Sequence, residues 1–242
     1  MIYLPICGSG ASYAVNPSKI IAVGLNYRDH VKEGAVFSNT MREVPKEPVL
    51  FAKTPNVLIG PGESIVIPAH VKDYNFTEER VDPEAELAVI IGKRGRHIPL
   101  EKAYEYVLGY TCFNDLSQRN IQKSDPSGWF RGKSFDTFGP IGPVVVTHSD
   151  IGDPQALNLC CRINGVVKQS SNTRNMIFSI PVLISYISKQ FTLEEGDVIA
   201  TGTPAGVSPI VPGDIVEVEV GKIGILKNPV AAEGKGPRMD AD

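Results

Sequence analysis

Glycine and proline punctuate this chain so regularly that it can fold only from short segments. Turn-like clusters stand at Gly60-Pro61-Gly62, Gly139-Pro140, Gly142-Pro143, Gly202-Thr203-Pro204 and Pro212-Gly213-Asp214. Glycine supplies backbone conformations that other residues resist, and proline cannot donate to a ladder, so both mark turns. Between the clusters lie β-branched runs at 64–68, 141–147, 197–201 and 214–220, the last alternating apolar and polar at period two. Two segments break this pattern. Leu100, Ala103, Tyr104, Val107 and Leu108 recur at helical spacing, and Ser179 with Pro181 opens a second stripe of Val182, Leu183, Tyr186 and Ile187. A third, shorter helix is expected near residues 26–33. The predicted class is α+β: a β-dominated mixed sheet, roll or sandwich with flanking helices and no repeating βαβ units.

A chain of 242 residues is long enough for a substantial core. Its formal net charge of −3 and lack of a basic cluster interleaved with aromatics give no reason to expect nucleic acid as a partner. The N-terminus has no basic n-region, and no apolar run reaches the length of a membrane span, so a soluble, cytoplasmic protein without a membrane partner is expected. The four cysteines, Cys7, Cys112, Cys160 and Cys161, lack metal-type spacing and read as buried, reduced thiols. The adjacent pair would point to opposite faces of a strand.

Chemistry concentrates in a few places. Glu84 and Glu86 precede the apolar run 87–91, and residues two apart on a strand share a face. Carboxylates held that close repel unless a cation or proton lies between them, and an all-oxygen donor set suits Mg²⁺, Mn²⁺ or Ca²⁺. The same alternation is also that of a solvent-facing strand. Asp115 is a candidate third carboxylate, or equally a turn or helix cap. His30 and Glu33, three apart on a helix, face one side as a general base and its orienting partner, or as a surface ion pair. Lys133 sits among aromatic residues, where it could meet a carboxylate or enolate, or snorkel to water. The loop Thr201-Gly202-Thr203 suits anion capture or an ordinary turn, and it is not a Walker A loop.

Taken in order, these segments resemble the fumarylacetoacetate hydrolase family from about Ile20 to Val230. The stretches that carry the resemblance are GLNYRDH with Glu33, EPVLFAKTPNVLIGPGESIVIP, VDPEAELAVIIGK, GYTCFNDLSQRNIQ, WFRGKSFDTFGPIGP, SNTRNMIFSI, GDVIATGTPAGV and PGDIVEVEVGKIGIL. The resemblance implies a catalytic domain over 20–230, a short N-terminal extension over 1–19 and a frayed tail over 231–242. It also implies a homodimer. By it, Glu84, Glu86 and Asp115 are the ligands of Mg²⁺ or Mn²⁺, and His30 with Glu33 is the water-activating dyad. Lys133 is the substrate lysine, Arg119 and Gln122 are polar pocket residues, and Thr201, Gly202 and Thr203 form the loop at the substrate carboxylate. The sequence departs from the family pattern at Ser170-Ser171-Asn172-Thr173, at Asn120 and at Ser208.

The expected activity is metal-dependent hydrolysis of a carbon–carbon bond in an acylpyruvate, a 2,4-dioxo acid, to pyruvate and a second acid. An octahedral cation with three protein oxygens leaves room to chelate a 2-oxo acid. The same enolate chemistry would serve an oxaloacetate decarboxylase or a hydroxymuconate-type isomerase, and a non-catalytic dicarboxylate-binding protein is a further reading. The segment 34–46 is expected to act as a lid over bound ligand.

Overall fold

The computed structural model describes residues 1–38, 43–126 and 128–234, with the backbone alone for 34–38. Seven strands form the principal sheet. Their spatial order is Val49–Lys53, Ile20–Gly24, Val198–Ala200, Ala85–Ile91, Val107–Asn114, Gly139–Thr147 and Leu58–Ile59. Two of the pairings are parallel, Ile20–Gly24 with Val198–Ala200 and Gly139–Thr147 with Leu58–Ile59, and the remainder antiparallel, so the sheet is mixed as expected.

This sheet cannot be flat. Its two edge strands are joined only by residues 54–57, which include a 3₁₀ turn at Pro55–Val57. Fully extended, the chain from Lys53 to Leu58 spans at most about 18 Å. A flat seven-stranded sheet would set its edges about 29 Å apart. The sheet therefore curls toward closure. Period-two alternation then sorts side chains between two clusters. Ile20, Ala22, Ala88, Ile90, Phe113, Val198 and Ala200 pack on one face, while Ile21, Val23, Leu87, Val89, Cys112 and Ile199 join the larger cluster on the other. Every residue of Ala85–Ile91 is buried, which is why 87–91 reads as a continuous apolar run, Glu86 being the buried exception.

A second sheet of five strands, in the order Val166–Asn172, Asn158–Ile163, Ile215–Val220, Gly224–Ala232 and Ile65–Ile67, covers the larger cluster together with the helix Ile180–Gln190. A hairpin of Ile2–Pro5 and Ser12–Val15 places Leu4 and Val15 in the smaller cluster.

Several expectations are corrected. The stretch 100–108 is not an α-helix: Leu100–Tyr106 is 3₁₀, and Val107 and Leu108 belong to a strand, where Val107 pairs with Ile91. Ser179 occupies the N-cap position of Ile180–Gln190, but its side chain makes no capping hydrogen bond. The helix expected at 26–33 runs instead from Arg28 to Ser38, so the first part of the lid segment is helical; residues 39–42 lie outside the described residues. Ala231 and Ala232, assigned to a frayed tail, pair with Val66 and Ile67, and 235–242 lie outside the described residues. All four cysteines are free thiols; Cys112 and Cys161 are buried, Cys160 is partly exposed and Cys7 is exposed. No helix among the described residues is long and apolar enough to cross a membrane.

Candidate metal centre and active site

The curl gathers charged side chains from segments far apart in sequence. Glu84 and Glu86 enter from the start of Ala85–Ile91, and Asp115 from the end of the neighbouring strand Val107–Asn114. A carboxylate oxygen from each lies within 4.8 Å of one from each of the others, and all three residues are buried. The backbone holds this arrangement: Asp115 N–H donates to the Glu84 carbonyl at 2.9 Å, and Asn114 Oδ1 accepts from Glu84 N–H at 3.0 Å.

Cations surround two of the three. Lys133 Nζ donates to Glu84 Oε2 and to Asp115 Oδ2, both at 2.7 Å, and Arg119 Nη2 reaches Glu84 Oε1 at 2.5 Å. Burial opposes ionisation of Glu84, yet the Lys133 ammonium and the Arg119 guanidinium outweigh it and hold this carboxyl well below the ordinary range. Glu86 is the opposite case. Burial, then the neighbouring charges of Asp115 and Glu84, push its carboxyl well above the ordinary range, and the Gly202 N–H at 2.8 Å offsets this only in part. Among the described residues no cation pairs with Glu86, and a hard divalent cation at this buried, all-oxygen corner would compensate it, so the residues present fit Mg²⁺ or Mn²⁺.

His30 and Glu33 face the same cavity from the helix Arg28–Ser38. His30 Nδ1 lies 3.1 Å from Glu33 Oε2, while Glu33 Oε1 accepts from Gly206 N–H at 2.9 Å. Burial disfavours the Glu33 carboxylate, but these hydrogen bonds and the His30 and Arg119 charges prevail and lower its pKa. An ionised Glu33 only accepts, so the proton of this pair sits on Nδ1 and Nε2 is the nitrogen left to exchange a proton with a ligand.

The cavity of about 290 Å³ is lined by His30, Glu33, Glu84, Glu86, Asp115, Arg119, Gln122, Lys133 and Thr203, with Arg80, Asp82 and Lys123 adding charge and Phe51, Trp129 and Val207 apolar wall. Arg119 is fixed by Asp82 at 2.7 Å and by Gln122 Oε1 at 3.0 Å. Thr201 and Gly202 face elsewhere: the Thr201 hydroxyl donates to the Leu87 carbonyl at 2.7 Å and Gly202 N–H to Glu86, so both brace the strand that carries the carboxylates. Gly202 has φ +97°, and a Cβ there would meet Asn26 Cβ at 2.7 Å and Val23 O at 3.0 Å. Gly202→Ala is expected to cost roughly 2–4 kcal/mol in urea unfolding; a loss under about 0.5 kcal/mol would refute this account of the loop.

Four buried or partly buried supports carry no mark in the sequence reading. Asp82 pairs with Arg119 and Arg80, and Lys53 bonds Asp115 Oδ1 at 2.6 Å. Gln169 bonds Ala85 N–H, the Thr203 hydroxyl and the Pro204 carbonyl, and Asn26 ties the Thr201 carbonyl to Phe178. Asn120, where the family pattern differs, accepts from Arg80 N–H and donates to the Glu78 carbonyl, which holds the approach to Asp82.

The family model described as fumarylacetoacetate (FAA) hydrolase C-terminal matches residues 19–231. The chain belongs to the fumarylacetoacetate hydrolase family. Within this family it is 42% identical to the mitochondrial oxaloacetate tautomerase Fahd2a of Rattus norvegicus, over 88% of this chain and 66% of that one, so it spans about two thirds of that relative's length. Among solved structures it resembles 5-carboxymethyl-2-hydroxymuconate delta-isomerase from Mycobacterium smegmatis at 40% identity and TM-score 0.79, covering 94% of this chain and 87% of the other. The fumarylpyruvate hydrolase of Pseudomonas aeruginosa, in complex with Mn²⁺ and pyruvate, matches at 29% identity and TM-score 0.82 over 96% of both chains. Family members are thus hydrolases, isomerases and tautomerases acting on small keto acids.

Proposed function

We propose that this family member is a divalent-metal-dependent enzyme that moves a proton between the keto and enol forms of a 2-oxo dicarboxylic acid of the oxaloacetate type. The observation that carries the reading is that the His30–Glu33 pair and the three clustered carboxylates line one cavity. A bound Mg²⁺ or Mn²⁺, held by Glu84, Glu86 and Asp115, would supply Lewis acidity toward the oxygens of the acid. His30 Nε2, oriented through Nδ1 by Glu33, takes the proton from the carbon next to the keto group and delivers it to the enolate oxygen, and the same path in reverse returns it to carbon when the enol is consumed. Lys133 presents positive charge to the enolate oxygen, and Arg119 and Gln122 orient the carboxylates of the acid. Thr203 lies on the same wall. Identity above 40% to an oxaloacetate tautomerase favours this outcome of the shared enolate chemistry.

Hydrolysis of an acylpyruvate is the second reading, supported by the full-length likeness to a fumarylpyruvate hydrolase. There the same dyad activates water toward the distal carbonyl, and the C3–C4 bond breaks with pyruvate enolate as the leaving group. The deciding test is a panel of oxaloacetate, acetylpyruvate and fumarylpyruvate with Mg²⁺ or Mn²⁺ against an EDTA control. Accelerated loss of the oxaloacetate enol absorbance without CO₂ or pyruvate is expected. Metal-dependent release of pyruvate with the matching acid would favour hydrolysis instead, CO₂ from oxaloacetate a decarboxylase, and silence across the panel a binding role. A homodimer is part of the same proposal, and light scattering at about twice the 26.2 kDa chain mass is the expected reading.

A further inference from the structure

Lys53 ends the edge strand Val49–Lys53, yet its ammonium is buried, with 2% of the residue exposed. All of its hydrogen bonds go to the segments that build the candidate site. Nζ donates to Asp115 Oδ1 at 2.6 Å, to the Leu116 carbonyl at 3.4 Å and to the Lys133 carbonyl. Asp115 therefore has one oxygen committed to Lys53, and Oδ2 is the oxygen that meets Lys133 beside Glu84. Three strands lie between that of Lys53 and the strand that leads to Asp115, four inter-strand spacings or about 19 Å along a flat sheet, so this bond exists only because the sheet curls. Lys53 is not among the residues lining the cavity, which sets it behind the wall and out of reach of substrate.

We propose that Lys53 is a positioning residue for the metal centre, turning Asp115 so that Oδ2 faces Glu84 and Glu86 and holding the backbone of Lys133 in register with it. The proposal rests on the reading of Glu84, Glu86 and Asp115 as ligands. An ammonium in this place has two opposed influences on a cation: it repels the ion, and it holds the ligand that binds it. Hydrogen bonds from outer groups to ligating carboxylates are commonly worth 10–100-fold in metal affinity, so orientation is expected to prevail over repulsion.

The test is Mn²⁺ binding to the purified protein, followed by titration calorimetry and by electron paramagnetic resonance of the free ion. Wild type is compared with Lys53→Met and with Lys53→Arg, which keeps the charge and the donors. Folding of each variant is checked by circular dichroism. Lys53→Met is expected to bind Mn²⁺ about 10–100-fold more weakly, with Lys53→Arg in between. Unchanged or tighter binding by folded Lys53→Met would overturn the proposal, as would failure of both variants to fold, which would assign Lys53 to the scaffold alone. Absence of Mn²⁺ binding by wild type would instead overturn the ligand reading on which the proposal stands.

Discussion

Replacing Glu86 with glutamine is expected to abolish Mn²⁺ binding and, in EDTA, to raise the melting temperature of the protein. The two effects have one origin. Burial and the charges of Asp115 and Glu84 make an ionised Glu86 costly in the folded chain, whereas the unfolded chain ionises it freely. The folded pKa is raised, so its stabilising contribution is complete below the ordinary value of 4.5 and is lost as pH rises through the raised value. At pH 7 a neutral amide of the same shape removes that cost and can still accept from Gly202 N–H. A gain of about 1–2 kcal/mol would lift the melting temperature by about 2–8 °C for a domain of this size. The fall in metal-free stability with rising pH should flatten in the variant. A lower melting temperature in EDTA, or retained Mn²⁺ affinity, would contradict the electrostatics described for this corner.

The second large effect falls on His30. His30→Asn should lower kcat by roughly 10²–10⁴, the usual worth of a positioned general base, while Mn²⁺ affinity stays within about threefold of wild type. Those two readouts separate proton transfer from metal assembly. His30 touches the ligands neither by hydrogen bond nor by backbone, and its partner Glu33 is held from the far side by Gly206. Turnover of oxaloacetate enol within a few-fold of wild type would remove the dyad from the mechanism.

The carboxylate pair was readable because period two and an apolar strand together place Glu84 and Glu86 on one side, and His30 with Glu33 because i,i+3 spacing on a helix does the same. Asp115 was ambiguous from local sequence, since an Asn-Asp step before serine serves a cap equally well; the colinear motifs favoured the ligand reading. In the structure it caps nothing, and the helix Arg119–Ser124 is instead capped by the Gln118 side chain. Lys53, Asp82 and Gln169 were not readable at all. Their partners at the site lie at long range: the curl of the sheet brings Lys53 to Asp115, a separate ladder of Val81–Asp82 with Ser117–Gln118 brings Asp82 to Arg119, and Gln169 reaches Ala85 across 84 positions. The stretch 100–108 misled for a different reason. Apolar residues three and four apart satisfy a 3₁₀ turn as readily as an α-helix, and the ladder to Ile91 claimed Val107 for a strand.

The narrow link at residues 54–57 has a kinetic consequence. The contacts that complete the site join distant parts of the chain: Lys53 to Asp115 across 62 positions and Glu86 to Gly202 across 116. Such contacts repay their loop-closure entropy late, so a chain of this topology folds slowly compared with helical proteins of equal size. The ladder between Ala85–Ile91 and Val107–Asn114 brings the three carboxylates together, but until the sheet curls Asp115 lacks its bond from Lys53. A cation that binds only the finished arrangement stabilises it by mass action and leaves the rate of reaching it untouched, acting chiefly by slowing the return to the unfolded chain.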